Sequence, residues 1–364
     1  MSSSLEVSFL PWAEINQPLS VGPVRFWRFA TQADREIQDN RIRDHLTRYF
    51  RCYVNHDGEP VDTVTVCSHG HSDFRGLSDQ EHRDLRRAVD AVIFATIAPQ
   101  NKVAVCADNR TMGPPSSNVF ELLTQGFLPG SDDIAIRAGS TQHGGWKIGQ
   151  IVFPKPWEVG GPFGISEKEL LEGLGKCFHI DFPADIRERI FRSLEWFRLA
   201  HVEGGGTSWL SKVVMMTTAF EILLQFPRER KRQHFVRFME DHIASSSFLK
   251  DTRTNGRKTY KLALVACWAW DFYEVRSRIV HGDLVPTSQS AYRGWVTHLI
   301  VADLVFWECL TRELFNQQCI GDIVRACAEE IEKLLTSSDE TSSDQLLGTF
   351  LGYDEVHKAL GWIT

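Results

Sequence analysis

Between residues 258 and 281 the apolar side chains Val265, Trp268, Phe272, Val275 and Ile279 recur at spacings of three and four. A stripe of that period lies along one side of an α-helix and has to be covered by a core. Gly282 supplies a left-handed stop directly after it, and Pro286 prevents the helix from resuming at once. The stripe therefore fixes a buried helix whose last turn carries Arg276, Ser277, Arg278 and His281, within the segment YEVRSRIVHGD. Unpaired carbonyls at a helix end favour a cationic imidazole, and a neighbouring guanidinium opposes it. That balance suits a histidine engaged in acid–base chemistry at neutral pH. On an ideal helix residues five apart are rotated by roughly 140°, so Arg276 and His281 do not share a face. Spacing alone leaves open which of Arg276 and Arg278 works with the histidine, and capping a helix end is the ordinary role of such residues.

A chain of 364 residues exceeds one ordinary core, which predicts two domains. The first part, residues 1–155, mixes strand-like segments (21–29, 61–68, 132–139, 145–153) with helix-like ones (40–54, 78–97) and reads as an α+β domain. Ser78 and Glu81 form a capping box at the start of the second helix. His143-Gly-Gly reads as a hairpin tip. PKPWEVGGPFG holds three prolines and three glycines in eleven residues, so 154–165 is read as a linker. Ser166 and Glu169 then cap the next segment. From there the pattern is helical throughout, over 166–178, 183–202, 208–226, 229–245, 258–281, 287–317 and 320–335. This predicts a helical domain over 166–336, followed by a polar tail over 337–364.

Net charge is −7, so nucleic-acid binding would need a local basic patch. Two candidates stand out: PRERKRQH, with Arg228, Arg230, Lys231 and Arg232, and KDTRTNGRKTYK, with Arg257 and Lys258. The eight cysteines are scattered singly and read as free thiols. There is no apolar run long enough to span a membrane, and the N-terminus lacks the form of a secretory signal, so the expected location is cytoplasmic. HGHSD carries His69, His71 and Asp73 and is similar to the His-x-His-x-Asp metal motif of metallo-β-lactamase-like hydrolases. Phe74 stands where the next ligand histidine belongs, and the expectation is a polar loop without metal or cofactor. Gly-rich phosphate loops are missing in any recognised spacing.

Within VVMMTTAFEILL, Glu221 is a carboxylate in a run that is apolar nearly all round, and such a group needs a charged or multiply hydrogen-bonded partner. Arg276 is the first candidate and Arg278 the second.

Tyr273, Arg276, Ser277, Val280, His281 and Gly282 match, in order, the signature of the Apea-like branch of the HEPN superfamily, which this stretch resembles. Ala219, Phe220, Glu221 and Leu223 stand where that family has Ala-Leu-Glu-x-Leu, with Phe220 replacing leucine. The resemblance covers about 166–315 and selects Arg276 as the motif arginine. It implies an all-α HEPN-like bundle and a metal-independent RNA endonuclease, toxin-like or antiviral, acting on an exposed tRNA or mRNA loop. Arg276 and His281 would be catalytic, with Glu221, Tyr273, Ser277 and Arg278 in support. One histidine cannot serve both sides of an in-line displacement, so the implied enzyme is a homodimer, open to activating or inhibiting partners. The N-terminal domain would sense, regulate or recruit substrate. The competing expectation is a non-catalytic HEPN module for dimerisation or for binding RNA or nucleotides.

Overall fold

The computed structural model describes residues 5–15, 17–30, 37–70, 74–106, 116–138, 141–156, 168–204, 207–244, 250–293 and 296–321, with Ile331 and Leu335. The elements run β1 (Leu5–Leu10), β2 (Leu19–Val21), β3 (Val24–Ala30), α1 (Asn40–Phe50), β4 (Tyr53–Val54), β5 (Thr63–His69), α2 (Asp79–Cys106), β6 (Leu123–Phe127), β7 (Asp133–Ala138), β8 (Thr141–Lys147) and β9 (Phe153–Pro154). They continue with α3 (Lys168–Lys176), α4 (Ala184–Ala200), α5 (Trp209–Leu223), α6 (Lys231–Phe238), β10 (Lys250–Asn255), β11 (Lys258–Ala263), α7 (Leu264–Val280), β12 (Ala291–Arg293), β13 (Val296–Thr297) and α8 (His298–Asn316). The chain is thus mixed α+β. It divides into two compact units, the first comprising 1–99, 115–207 and 314–321, the second 100–114, 208–313 and 322–364.

The first unit is built on a seven-stranded antiparallel sheet in the order β2-β3-β5-β1-β6-β7-β8. Alternation along the strands sends Val7, Phe9, Trp27, Phe29, Val64 and Val66 to one face, where they pack with Leu46, Tyr49 and Phe50 of α1. Gly22 turns β2 into β3 at φ +57, and a Cβ there would lie 2.5 Å from the Phe178 ring, so both backbone and packing require glycine. The Ser78–Glu81 capping box forms as expected, with Ser78 N–H donating to Glu81 Oε2 at 2.7 Å and Glu81 N–H to Ser78 Oγ at 3.3 Å. Those Ser78 donors and the Arg75 guanidinium hold the Glu81 carboxyl down to about 2. The glycines expected at a hairpin tip lie instead inside β8, where the register shifts opposite Ile134 and Ala135 and Gly145 takes φ +91. They make a bulge.

Helices α3 and α4, expected to open the helical domain, pack within the sheet unit. Arg198 Nε of α4 donates to Asp90 Oδ1 of α2 at 2.6 Å, and Phe197 meets Phe94 at 5.0 Å between ring centroids. Burial outweighs the two arginines beside Asp90 and pushes its carboxyl up to about 6. The expected linker and Ser166 fall mostly on residues outside the described ones, as do the segment 320–335 for the most part and the tail.

The second unit is helical around Phe220 of α5, whose ring meets Phe235 of α6 at 4.9 Å, Phe306 of α8 at 5.4 Å and Trp268 of α7 at 6.2 Å. Removing such a ring costs roughly 3–5 kcal/mol, against about 0.3–0.5 kcal/mol for an exposed i,i+4 pair such as Arg237–Asp241. The aromatic core therefore dominates. Val265, Trp268, Phe272 and Val275 are buried as the stripe predicts, with Ile279 half-buried. Yet the unit is not all-α. Residues 250–263, read as a break running into a helix, form the antiparallel hairpin β10–β11 around Gly256, and β12 pairs with β13. Lys258, Thr259, Tyr260 and Lys261 are exposed and give a helix nothing to bury, so α7 starts only at Leu264.

His298, at the start of α8, packs on Phe272 and Tyr292 and is 4% exposed. Burial lowers its imidazole from the usual 6.5 to about 4. The folded state therefore resists protonation that the unfolded chain accepts, and the stability involved is intact above 6.5 and lost as pH falls towards 4. Chemical denaturation of wild type and His298→Phe at pH 7 and pH 4.5 isolates this contribution, because the raised Asp90 carboxyl acts in the opposite direction in both; on going to the lower pH wild type is expected to lose about 2 kcal/mol more than the variant.

Candidate functional site

Helix α7 ends as its sequence requires. Gly282 takes φ +80, its amide donates to Ile279 O at 3.1 Å, and the Asp283 amide donates to Arg278 O at 2.9 Å. This closes the helix in a Schellman turn and places His281 at the C-cap, with its amide on Ser277 O and its side chain exposed.

One turn earlier, three groups converge on Glu221. Tyr273 Oη donates to Glu221 Oε1 at 2.7 Å, Lys231 Nζ donates to Oε2, and Arg276 Nη2 lies 3.5 Å from Oε1. The carboxylate side chain is only 13% exposed and the Arg276 side chain 22%. A carboxylate so placed is stable because two cations and a phenol replace its water. Burial and the acceptor carboxylate push the Tyr273 phenol up, so it remains a donor. The Arg276 guanidinium carbon also lies over the Tyr273 ring, 5.5 Å from its centroid, within cation–π range. Arg276 is thus the arginine that reaches Glu221. Arg278 turns away and clamps the following loop, with Nη1 on Gln289 Oε1 and Nη2 on Leu284 O, both at 2.8 Å.

Arg276, Tyr273, Ser277 and Glu274 line an open groove of about 480 Å³ whose opposite wall is Arg228, Arg230, Lys231, Arg232 and Gln233. The first basic segment singled out in the sequence therefore faces the motif arginine. Two of its members are already engaged, Lys231 with Glu221 and Arg232 with Glu274. Lys231 as a holder of Glu221 was missed by the sequence reading. The signal was there, since a helix ending in a half-buried carboxylate is followed after a short turn by a lysine opening the next helix. His281 does not line the groove, in keeping with its rotation relative to Arg276, and Arg257 and Lys258 sit apart from it at the hairpin turn.

Of the metal-like motif, His69 lies at the end of β5 between two carboxylates, with Nε2 3.3 Å from Asp84 Oδ2 and Nδ1 3.6 Å from Glu81 Oε1. His71 and Asp73 fall outside the described residues, and among the described ones no group of three or more His, Cys, Asp or Glu side chains is placed to hold a metal ion. Phe74 is buried in the sheet core near Phe127. Six cysteines are free and buried; Cys106 and Cys327 fall outside the described side chains. Among the described residues no helix is long and apolar enough to cross a membrane. No family model, curated protein or solved structure matches the chain.

Because Glu221 is the anchor of Arg276 and Lys231, Glu221→Gln keeps its shape and leaves two partly buried cations without their anion. Urea denaturation is expected to show a loss of about 1–3 kcal/mol, whereas Arg278→Ala is expected chiefly to speed amide exchange over 283–290.

Proposed function

We propose that the chain is a metal-independent RNA endonuclease of HEPN type. The observation that carries this reading is Arg276, fixed by Glu221 and Tyr273 and facing a groove walled by four further cations, on the helix whose exposed end is His281. Such a groove suits a phosphate backbone, and a guanidinium that is always charged is suited to the extra negative charge of a phosphorane. RNA supplies its own nucleophile. His281 takes the proton of the ribose 2′-hydroxyl, the 2′-oxygen attacks phosphorus, and the bond to the 5′-oxygen breaks as that oxygen gains a proton. The products are a 2′,3′-cyclic phosphate and a 5′-hydroxyl.

The second proton transfer needs a group on the far side of the phosphorus. A two-fold contact between α7 ends supplies the partner's His281, which is why the proposed active form is a homodimer. It also accounts for an imidazole that lies outside the groove of its own protomer. The substrate is an exposed tRNA or mRNA loop, the compartment is the cytoplasm, and the biological role is a toxin-like or antiviral effector, answering to an activating or inhibiting partner through the sheet unit. These points rest on the resemblance of residues 166–315 to the Apea-like family.

One observation favours a second reading. Because His281 lies outside the groove, the same surface serves a HEPN module that binds RNA or nucleotides without cutting.

Incubation of the purified protein with total RNA in EDTA separates the two. Cleavage is expected in chelator, about 100-fold slower or more for His281→Ala and Arg276→Ala, and absent where the scissile nucleotide is 2′-deoxy. Binding without cleavage selects the second reading, and identical RNA profiles for wild type and His281→Ala rule out the nuclease.

A further inference from the structure

Beyond the groove, an aromatic–cation stack leads along α7 to the hairpin. Trp270 lies one turn before Glu274 and on the same helix face. The Arg232 guanidinium, which lines the groove, sits 4.4 Å from the Trp270 ring centroid. Against Trp270 also packs Tyr260 of β11, with 5.7 Å between centroids and 42° between planes. Tyr260 is 38% exposed, one of seven large apolar-bodied side chains left open to solvent among the described residues.

The hairpin holding that ring is rigidly seated. Arg253, the cross-strand neighbour of Tyr260, grips Asp271 of α7 through Nε at 2.9 Å and Nη2 at 2.6 Å. The Ala263 amide at the hairpin's end donates to Glu240. Lys258, two residues before Tyr260, is exposed on the same face of the hairpin and Arg257 is exposed at its turn, while Lys250 and Lys261 lie on the opposite face. Neither feature serves the cleavage chemistry described above.

Resting on the reading of the groove as an RNA site, we infer that Tyr260, backed by Trp270 and flanked by Lys258, is a base-stacking subsite. The substrate class of the groove is then single-stranded RNA, with phosphates on Arg228, Arg230 and Arg276 and a neighbouring base on Tyr260. An unpaired base offers its flat face to such a ring, whereas a base in a duplex is already stacked on both sides. Because every base has that face, the subsite recognises strandedness more than sequence.

Fluorescence anisotropy with a labelled 2′-deoxy-blocked oligonucleotide tests this without interference from cleavage. Wild type is expected to bind the single strand at least about fivefold more tightly than the duplex of the same sequence. Tyr260→Ala is expected to weaken single-strand binding by a similar factor or more with an unchanged salt dependence, and Tyr260→Phe to keep the affinity. Lys258→Ala is expected to act the other way, lowering the salt slope by about one. If Tyr260→Ala, folded by circular dichroism, binds like wild type, or if duplex binds as well as single strand, the subsite is wrong while the groove reading stands. If wild type binds no RNA at all, both fall.

Discussion

A carboxylate at position 221 is the constraint on which the second unit depends. It sits next to Phe220, whose ring is the centre of the aromatic core, and is held at the edge of that core with its side chain only 13% exposed. It must be neutralised where it stands. The three groups that do so come from two other elements, Lys231 from the start of α6 and Tyr273 and Arg276 from α7. Meeting that requirement brings α5, α6 and α7 together at one point, and the same geometry stands a fixed guanidinium opposite Arg228 and Arg230. Core, ion cluster and groove are consequences of one another.

Much of this was legible in the sequence because it rested on local rules. The period of Val265, Trp268, Phe272 and Val275 defined the buried face of α7, and Gly282 defined its end. A carboxylate in an apolar run called for a cation, and the five-residue offset already placed His281 off the face of Arg276. The parts that were not legible depended on long-range partners or on an element without a break before its neighbour. The hairpin β10–β11 runs directly into α7, so Thr259 and Tyr260 were absorbed into a helical pattern that they do not share. Helices α3 and α4 follow the glycine- and proline-rich segment, but their fate was decided by contacts such as Arg198 with Asp90, 108 residues apart in sequence. The glycines of β8 signalled a distortion without saying whether it was a turn or a bulge.

The division of labour between the two arginines of YEVRSRIVHGD shows how little separates a structural residue from one facing a site. Arg276 and Arg278 lie one residue on either side of Ser277 at the same helix end. One is turned by about 200° relative to the other, and so Arg276 meets Glu221 and the groove while Arg278 meets the loop carbonyl of Leu284. Bracing the following loop and facing the groove are assigned by rotation alone.

The central claim is that two α7 ends meet so that the imidazoles at position 281 bracket one ribose-phosphate. Its most direct test is a site-specific cross-link. His281→Cys places an exposed thiol at that end, whereas the six native thiols that are described are buried. Under a mild oxidant this variant is predicted to give a covalent dimer that wild type does not, at a concentration where light scattering already finds a non-covalent dimer. A chain that remains monomeric, or a dimer in which thiols at position 281 never join while RNA is still cut, would contradict the shared site.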